Sequence, residues 1–283
     1  MTLSVIHDII VTRKRLQKEV FFMKKVLTIA GSDCSGGAGI QADIKTVTVH
    51  NMYAMSVITA LTAQNTTGVY AVQDTEVDMV AEQMDCVFKD IYPDAVKIGM
   101  VSSIPIMNVI AQKLQAYKVK NIVLDPVMVA TSGDKLMKDG AVTTLIEKLI
   151  PLATVITPNM QEAELLSGIN INCAEDMSAA AKKIAENVDC TILIKGGHMA
   201  DAADDLIYTR ERGEIWLKEE HIDNSNTHGT GCTLSSAIAC GLADCLSVEE
   251  SVRAAKKFIS GAIGAGLDLG KGRGPLNHMY LLK

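Results

Sequence analysis

Residues 228–237, HGTGCTLSSA, bring a thiol to the point where a glycine turn becomes a helix. Gly229 and Gly231 bracket Thr230, Cys232 follows, and from Thr233 onward the residues are small and compatible with a helix. Such a junction leaves unpaired N–H groups at the helix start, and the helix dipole adds positive potential there. Together they can hold a transferring phosphoryl group and favour the thiolate form of Cys232. Read for chemistry, Gly229, Thr230 and Gly231 form an anion cradle and Cys232 is a general base. Read for structure alone, Cys232 is a small buried residue in a tight turn. The ten residues by themselves leave both readings open.

Other stretches carry functional groups at similar places. AGSDCSGGAGIQAD, residues 30–43, is a second glycine-rich loop after an apolar run. No glycine completes a GxGxxG dinucleotide pattern after Gly37 and Gly39, and no GK[ST] follows as a P-loop requires. GLDLGKGR, residues 266–273, has one residue too few between its glycines, and Gly272 stands where Ser or Thr is needed. TPNMQEAELL puts Asn159 and Glu162 three apart at a helix start, hence on one face. An acid there can hold Mg²⁺, directly or through water. The same pair is also ordinary helix-start chemistry. Lys195 in LIKGGHM ends a strand as a point charge suited to a nucleotide phosphate, and a solvated strand-end lysine is the plain alternative. Asp125 in VLDPVM can be a further acid near a metal or a turn residue before Pro126. His198 and His228 have no partner at ligand spacing, so a zinc site is not expected.

Composition narrows the function classes. Of 283 residues, 48% are hydrophobic, enough for a substantial core. Aromatics are 4%, against a base-stacking platform, and the net charge of −6 repels a phosphate backbone. No nucleic-acid partner is expected. Seven cysteines, an odd number without CxxC, argue against a disulfide framework and for a reducing cytoplasmic setting. The apolar run Met52–Ala63 is too short to span a bilayer.

The elements that would position these groups alternate. Apolar strands are expected at KVLTIAGSD, MSVITALTA, DAVKIGM, KNIVLDPVM, ATVITPN and CTILIKGG. Between them, helical spacing covers residues 37–50, 75–91, 104–117, 140–150, 160–168 and 174–188. DLIYTRERGEIWLKEE reads as a hairpin turning near Arg212 and Gly213, and two long helices follow around 230–245 and 247–266. The fold class is therefore α/β: a central, mostly parallel sheet covered by helices on both faces, with a small β-hairpin. Ligands of such sheets sit beyond the carboxyl ends of the strands, where the chemistry-bearing residues above all fall. No linker or repeat appears, so residues 23–283 read as one domain. Residues 1–22 read as an extension, because Met23 opens MKKVLTIAGSD like a protein start and the charges of TRKRLQKEVFF follow an apolar stretch, the reverse of a secretory signal. A docking helix is the other reading of that segment.

LTIAGSDCSGGAGIQADIKT, VITALTAQNT, VKIGM, VLDPVM, ITPNMQEAELL, IKGGH, THGTGCTLSSAI and GKGRGP, in this order, resemble the hydroxymethylpyrimidine and hydroxymethylpyrimidine-phosphate kinases of thiamine biosynthesis, in the ribokinase-like superfamily. The combination is specific, although no single piece is. The resemblance implies ATP, Mg²⁺, phosphorylation of a primary alcohol and then of its monophosphate, and a homodimer. It implies that Gly229, Thr230, Gly231 and Cys232 line the transferring phosphoryl group, with Cys232 where the wider superfamily has an aspartate base. It places Asn159 and Lys195 at the nucleotide phosphates, Glu162 and Asp125 near Mg²⁺, and Ala38, Asp43, Gln64, Met100 and Val127 in the substrate pocket. Gln64 has its own rationale: a carboxamide offers the donor and acceptor that complement an aminopyrimidine, as glutamine reads adenine. A pyridoxal or pyridoxine kinase on the same scaffold is the rival reading, and a nucleotide-binding module without turnover is a second.

Overall fold

The computed structural model describes residues 23–128, 140–196, 204–218, 222, 224 and 226–282. The expectations for residues 1–22 and for His198 lie outside the described residues. In chain order the elements are β1 (Lys25–Asp33), α1 (Gly39–Val49), β2 (Tyr53–Asn65), β3 (Gly68–Asp74), α2 (Val77–Asp90), β4 (Ala95–Ile98), α3 (Ile104–Ala116) and β5 (Ile122–Leu124). There follow α4 (Ala141–Thr144), β6 (Val155–Ile156), α5 (Met160–Ser167), α6 (Ala174–Ala185), β7 (Thr191–Ile194), β8 (Asp205–Thr209), β9 (Gly213–Leu217), α7 (Thr230–Ala243) and α8 (Val248–Gly264).

Among the described residues the strands form one sheet in the order β3-β2-β1-β4-β5-β6-β7-β8-β9. Strands β2, β1, β4, β5, β6 and β7 run parallel. β3 on one edge pairs antiparallel with β2; on the other edge β8 pairs antiparallel with β7, and β9 antiparallel with β8. The alternating pattern thus specifies the parallel centre, and the hairpin at Arg212–Gly213 is β8–β9 as expected. β3 was not expected: its residues are mostly exposed, so it lacks the alternating apolar signal of a half-buried strand. The helix expected over 140–150 is also less regular. α4 passes into a π turn at Leu145–Leu149 and a 3-10 turn at Ile150–Leu152, where Pro151 has no N–H to continue the α pattern. No helix of the described residues is long and apolar enough to cross a membrane.

Because side chains alternate along a strand, each strand divides its residues between two cores. Leu27, Ile29, Val96, Ile98, Leu124, Ile156, Ile192 and Ile194 meet the face covered by α2, α3, α4 and α6. Val26, Ala95, Val123, Val155 and Leu193 meet α7, α8 and Val47 of α1. Two residues beyond each member of this second set, on the same face, the side chains turn polar: Thr28, Lys97, Asp125, Thr157 and Lys195. All but Thr28, which lies midway along β1, sit at or just past the carboxyl ends of their strands. β1 has β2 on one side and β4 on the other, so the strand order reverses there and opens the crevice where ligands of such sheets bind.

Candidate active site

The start of α7 is the turn expected from HGTGC. Gly229 caps it with φ 87°, in the left-handed region, and a Cβ there would lie 1.9 Å from the carbonyl oxygen of Gly37. Glycine is therefore required twice, for conformation and for the close approach of the two glycine-rich loops. The Thr230 hydroxyl and N–H both donate to the Thr227 carbonyl, at 2.7 and 3.2 Å. A Cβ on Gly231 would stand 3.3 Å from Asp125 Oδ2 and 3.5 Å from Lys195 Nζ, so the helix mouth rests directly on that ion pair. We expect Gly229→Ala to lose at least about 1–2 kcal/mol from conformation alone. The clash with Gly37 should also abolish nucleotide binding, which a melting curve with and without ADP checks.

Asp125, Thr157, Lys195 and Glu162 meet beside this turn. Lys195 Nζ is 3.1 Å from Asp125 Oδ1 and 4.0 Å from Glu162 Oε2, and the Thr157 hydroxyl donates to Asp125 Oδ1 at 3.0 Å. Asn159 and Glu162 form a full capping box: the Asn159 N–H donates to Glu162 Oε2 at 2.8 Å, and the Glu162 N–H to Asn159 Oδ1 at 2.9 Å. The helix-start reading of this pair is thus realised, and Glu162 turns toward Lys195 at the same time. Burial pulls the Lys195 ammonium down, but Asp125 and Glu162 leave it above its ordinary value. Burial lifts Glu162 to about 7, opposed by Lys195 and reinforced by Asp125.

The folded chain keeps the Glu162 proton up to about pH 7, whereas the unfolded chain releases it near 4.5. Folding takes up a proton in that window, so stability must fall as pH rises through it. We expect melting temperatures of the wild type to decline from pH 5 to 8 relative to Glu162→Gln, which keeps the cap acceptor and has no proton to lose. Parallel profiles would contradict this. The donor set suits Mg²⁺: two buried carboxylates under-compensated by one lysine, with hard oxygen ligands. No group of three or more ligating side chains occurs among the described residues, and a Mg²⁺ that keeps several waters does not need one.

Cys232 occupies the third position of α7 and is half-buried. One turn further on, Ser235 lies 3.4 Å from Asp125 Oδ2 and the Ser236 hydroxyl donates to Asp43 Oδ1 at 2.8 Å. Residues at i+3 and i+4 share a helix face, so the thiol lies between two ion pairs, Lys195–Asp125 and Lys97–Asp43. The expectation that the turn lowers its pKa is corrected. Burial pushes the thiol up to about 11, against the pull of Lys97 and the Gly39 N–H, while Asp43 and Asp125 add to the rise. Each lysine carries its own aspartate, so little net positive charge remains to offset desolvation.

Asp43, expected in the substrate pocket, lies beneath it instead. Both Asp43 and Lys97 are 0% exposed. The Asp43 carboxylate accepts from Thr28 at 2.6 Å, from Lys97 at 2.9 and 3.0 Å, and from Ser236. With every side of the carboxylate occupied, no edge is left for a ligand. Burial pulls Lys97 down, but Asp43 beside it, with Cys232 and Asp125 beyond, leaves it well above the ordinary lysine range. Sequence reasoning passed over Lys97. The available signal was a charge inside the buried strand AVKI, which demands a partner.

The other substrate candidates border the crevice at β1 and β2. Asp33 organises the first glycine loop, accepting from the N–H groups of Ser35 at 2.8 Å, Gly37 at 3.1 Å and Ala38 at 2.8 Å. His228 Nε2 lies 2.8 Å from Asp33 Oδ2. Burial would raise the Asp33 carboxyl, but His228 and the loop donors hold it at about 2. Gln64 projects beside His228 into a cavity of about 330 Å³, lined also by Asn65, Thr66, Thr67, Gly272 and Arg273. The N–H groups of Lys271 and Gly272 both donate to Thr66 Oγ1 at 3.2 Å, which ties the GKGRGP loop across this cavity. Ala38 caps α1 next to Gly229. Met100 is buried just past β4, where a Cβ on Gly31 would meet its Cε at 2.5 Å. Val127, half-buried, follows β5, with its N–H on the Asp125 carbonyl. Cys232 lines neither this cavity nor its larger neighbour around Ser35, Leu269 and Pro275. Asp33 and His228, like Lys97, were not assigned from sequence.

Strand order 3-2-1-4-5-6-7, with glycine turns and charged side chains gathered at its carboxyl edge, and the solved neighbours define the class, a ribokinase-like small-molecule kinase. A family model described as phosphomethylpyrimidine kinase matches residues 33–277, and the chain belongs to that family. It is 48% identical over 258 residues to the hydroxymethylpyrimidine/phosphomethylpyrimidine kinase of Rhizobium meliloti, covering 90% of this chain and 96% of that protein. The crystal structure of phosphomethylpyrimidine kinase from Clostridium difficile is 45% identical with a TM-score of 0.76, covering 85% of this chain and 99% of that one. An ADP complex of pyridoxal kinase from Bacillus subtilis is 39% identical with a TM-score of 0.84, covering 92% and 98%.

Proposed function

We infer that this chain transfers the γ-phosphoryl group of ATP to the hydroxymethyl oxygen of 4-amino-5-hydroxymethyl-2-methylpyrimidine, and then phosphorylates the monophosphate. The observation that carries the reading is the α7 mouth, whose glycine turn stands against Lys195 and Asp125 while Gln64 and His228 border an open cavity nearby. Positioning and charge stabilisation supply most of phosphoryl-transfer catalysis, and these groups supply both. The N–H groups of Gly229 and Gly231 face the charge spread over the phosphoryl oxygens, Thr230 holds the turn through its bonds to the Thr227 carbonyl, and Lys195 adds a cation. Mg²⁺, held by Glu162 and Asp125, would neutralise phosphate charge when bound. Cys232 takes the proton of the attacking hydroxyl, with Lys97 and Lys195 as the cations that stabilise the thiolate.

The pyridoxal kinases among the solved structures share this scaffold, so the fold alone does not choose the heterocycle. Gln64 supports the pyrimidine, since its amide complements an amino group beside a ring nitrogen. A homodimer is supported by the apolar side chains Tyr53, Leu61, Tyr70 and Val72, exposed on the β2–β3 edge. The test is mass spectrometry of the aminopyrimidine alcohol with MgATP, in competition with pyridoxine. Mono- and diphosphate of the pyrimidine are expected. A preference for pyridoxine, or ATP binding without ADP release, would overturn the reading.

A further inference from the structure

The Gln64 carboxamide sits between a hydroxyl whose one proton is committed elsewhere and a ring nitrogen that carries a proton. Its nitrogen lies 3.4 Å from His228 Nε2, and its oxygen 3.2 Å from Thr62 Oγ1. The single hydroxyl proton of Thr62 goes to the Ser32 carbonyl at 2.9 Å, the shorter of its two contacts, so toward Gln64 the hydroxyl offers a lone pair. His228 Nε2 faces the ionised Asp33 carboxylate at 2.8 Å, so that ring nitrogen carries a proton. This placement therefore sets donor against donor on one side and acceptor against acceptor on the other. Turning the amide end for end exchanges its oxygen and nitrogen in place and removes both like-against-like contacts. The oxygen then takes the longer arm of a shared bond from His228 Nε2–H, whose main acceptor is Asp33 at 2.8 Å, and the nitrogen donates to Thr62 Oγ1.

His228 cannot turn away to relieve the conflict. A Cβ on Gly37 would lie 2.2 Å from its Cδ2, so the ring packs against that backbone, and the main-chain N–H of His228 donates to the Gly274 carbonyl at 3.1 Å, which fixes the backbone that carries the ring. Asp33 in turn is fixed by three loop N–H groups.

We propose that Thr62 and His228, the latter fixed by Asp33, set the orientation of the Gln64 amide and thereby the hydrogen-bond pattern that the cavity accepts. The inference rests on the reading of Gln64 as a substrate contact. With one N–H given to Thr62 and one lone pair taken by His228, the amide has one of each left. The free lone pair is on the His228 side and the free N–H on the Thr62 side. A 4-aminopyrimidine fits when its amino group lies toward His228 and its adjacent ring nitrogen toward Thr62. The 4-oxo analogue presents a carbonyl and a ring N–H, the opposite order, and leaves both pairs mismatched. Thr62 and His228 are thus specificity-positioning residues.

The test is the ratio of kcat/KM for the 4-amino substrate over its 4-oxo analogue. Thr62→Val keeps the shape and removes the acceptor that holds the amide nitrogen. The ratio should drop roughly 10-fold or more, as expected for an unmade buried hydrogen bond, and Thr62→Ser should restore it. A merely structural role would lower both kcat/KM values together and leave the ratio in place, which would overturn the proposal. Gln64→Ala separates the two levels. If it leaves the ratio at the wild-type value, Gln64 does not read the ring and the underlying assignment fails. If it collapses the ratio while Thr62→Val does not, only the orienting role fails. In the unmutated protein, nuclear Overhauser contacts from the Gln64 amide protons should reach the Thr62 methyl group. Contacts to the His228 ring protons in their place would overturn the orientation directly.

Discussion

Cys232→Ala is expected to slow phosphorylation of the alcohol by about 10²–10⁴, the usual contribution of a general base. It should slow phosphorylation of the monophosphate far less. The difference follows from the nucleophiles: the hydroxymethyl group must lose a proton as it attacks, whereas a phosphate oxygen is already ionised. The burial that raises the thiol to about 11 adds a second, sharper expectation. Only the thiolate accepts a proton, so kcat/KM for the alcohol should climb with pH, close to tenfold per unit, until the thiol titrates. In Cys232→Ala that climb should vanish, and for the monophosphate it should be weak even in the wild type. Mono- and diphosphate formation measured separately over pH 6–9.5 decides it. Equal losses in both steps, or a flat wild-type profile for the alcohol, would assign Cys232 to packing or to phosphoryl binding.

Lys97→Met should be among the most damaging single changes for stability. The ammonium is fully buried and shared between both oxygens of Asp43. Removing it leaves a carboxylate with only the hydroxyls of Thr28 and Ser236, deep between β1, β4, α1 and α7. Breaking a buried pair from one side costs about 3–5 kcal/mol, while replacing both partners by apolar residues is often nearly neutral. The denaturation midpoint of Lys97→Met should therefore fall steeply and recover in Lys97→Met/Asp43→Leu. In the single variant the thiol should rise above its wild-type pKa, because the cation that lowers it most is gone while Asp43, which raises it, remains. A single variant within about 1 kcal/mol of wild type would show that the pair is not what holds α1 and α7 to the sheet.

These two residues mark where reading the chain succeeds and where it stops. Helices such as Val77–Asp90 and Ile104–Ala116 announce themselves by apolar spacing, and the Asn159–Glu162 box by two residues three apart. The glycines of the α7 mouth are equally visible, because a turn into a helix needs them locally. β3 escaped notice because an edge strand exposed on most of its length has no buried face to leave a pattern. Asp43 was placed in the pocket by the family resemblance alone, and its partner Lys97 is 54 residues away. His228 could be dismissed as a metal ligand, yet its carboxylate partner Asp33 lies 195 residues earlier in the chain.

Spacing, caps and turns depend on neighbours within a few positions, so residue types along the chain suffice to place the parallel α/β sheet, its covering helices and the edge at which its chemistry gathers. Charge states and contact partners depend on what the fold brings near and how much water it removes. The helix dipole at Cys232 was legible and favoured a thiolate, but desolvation, which exists only once β4, β5 and α1 close around the sulfur, reverses the sign. The orientation of the Gln64 amide is of the same kind, set by proton counts on Thr62 and His228 that meet only in the folded chain.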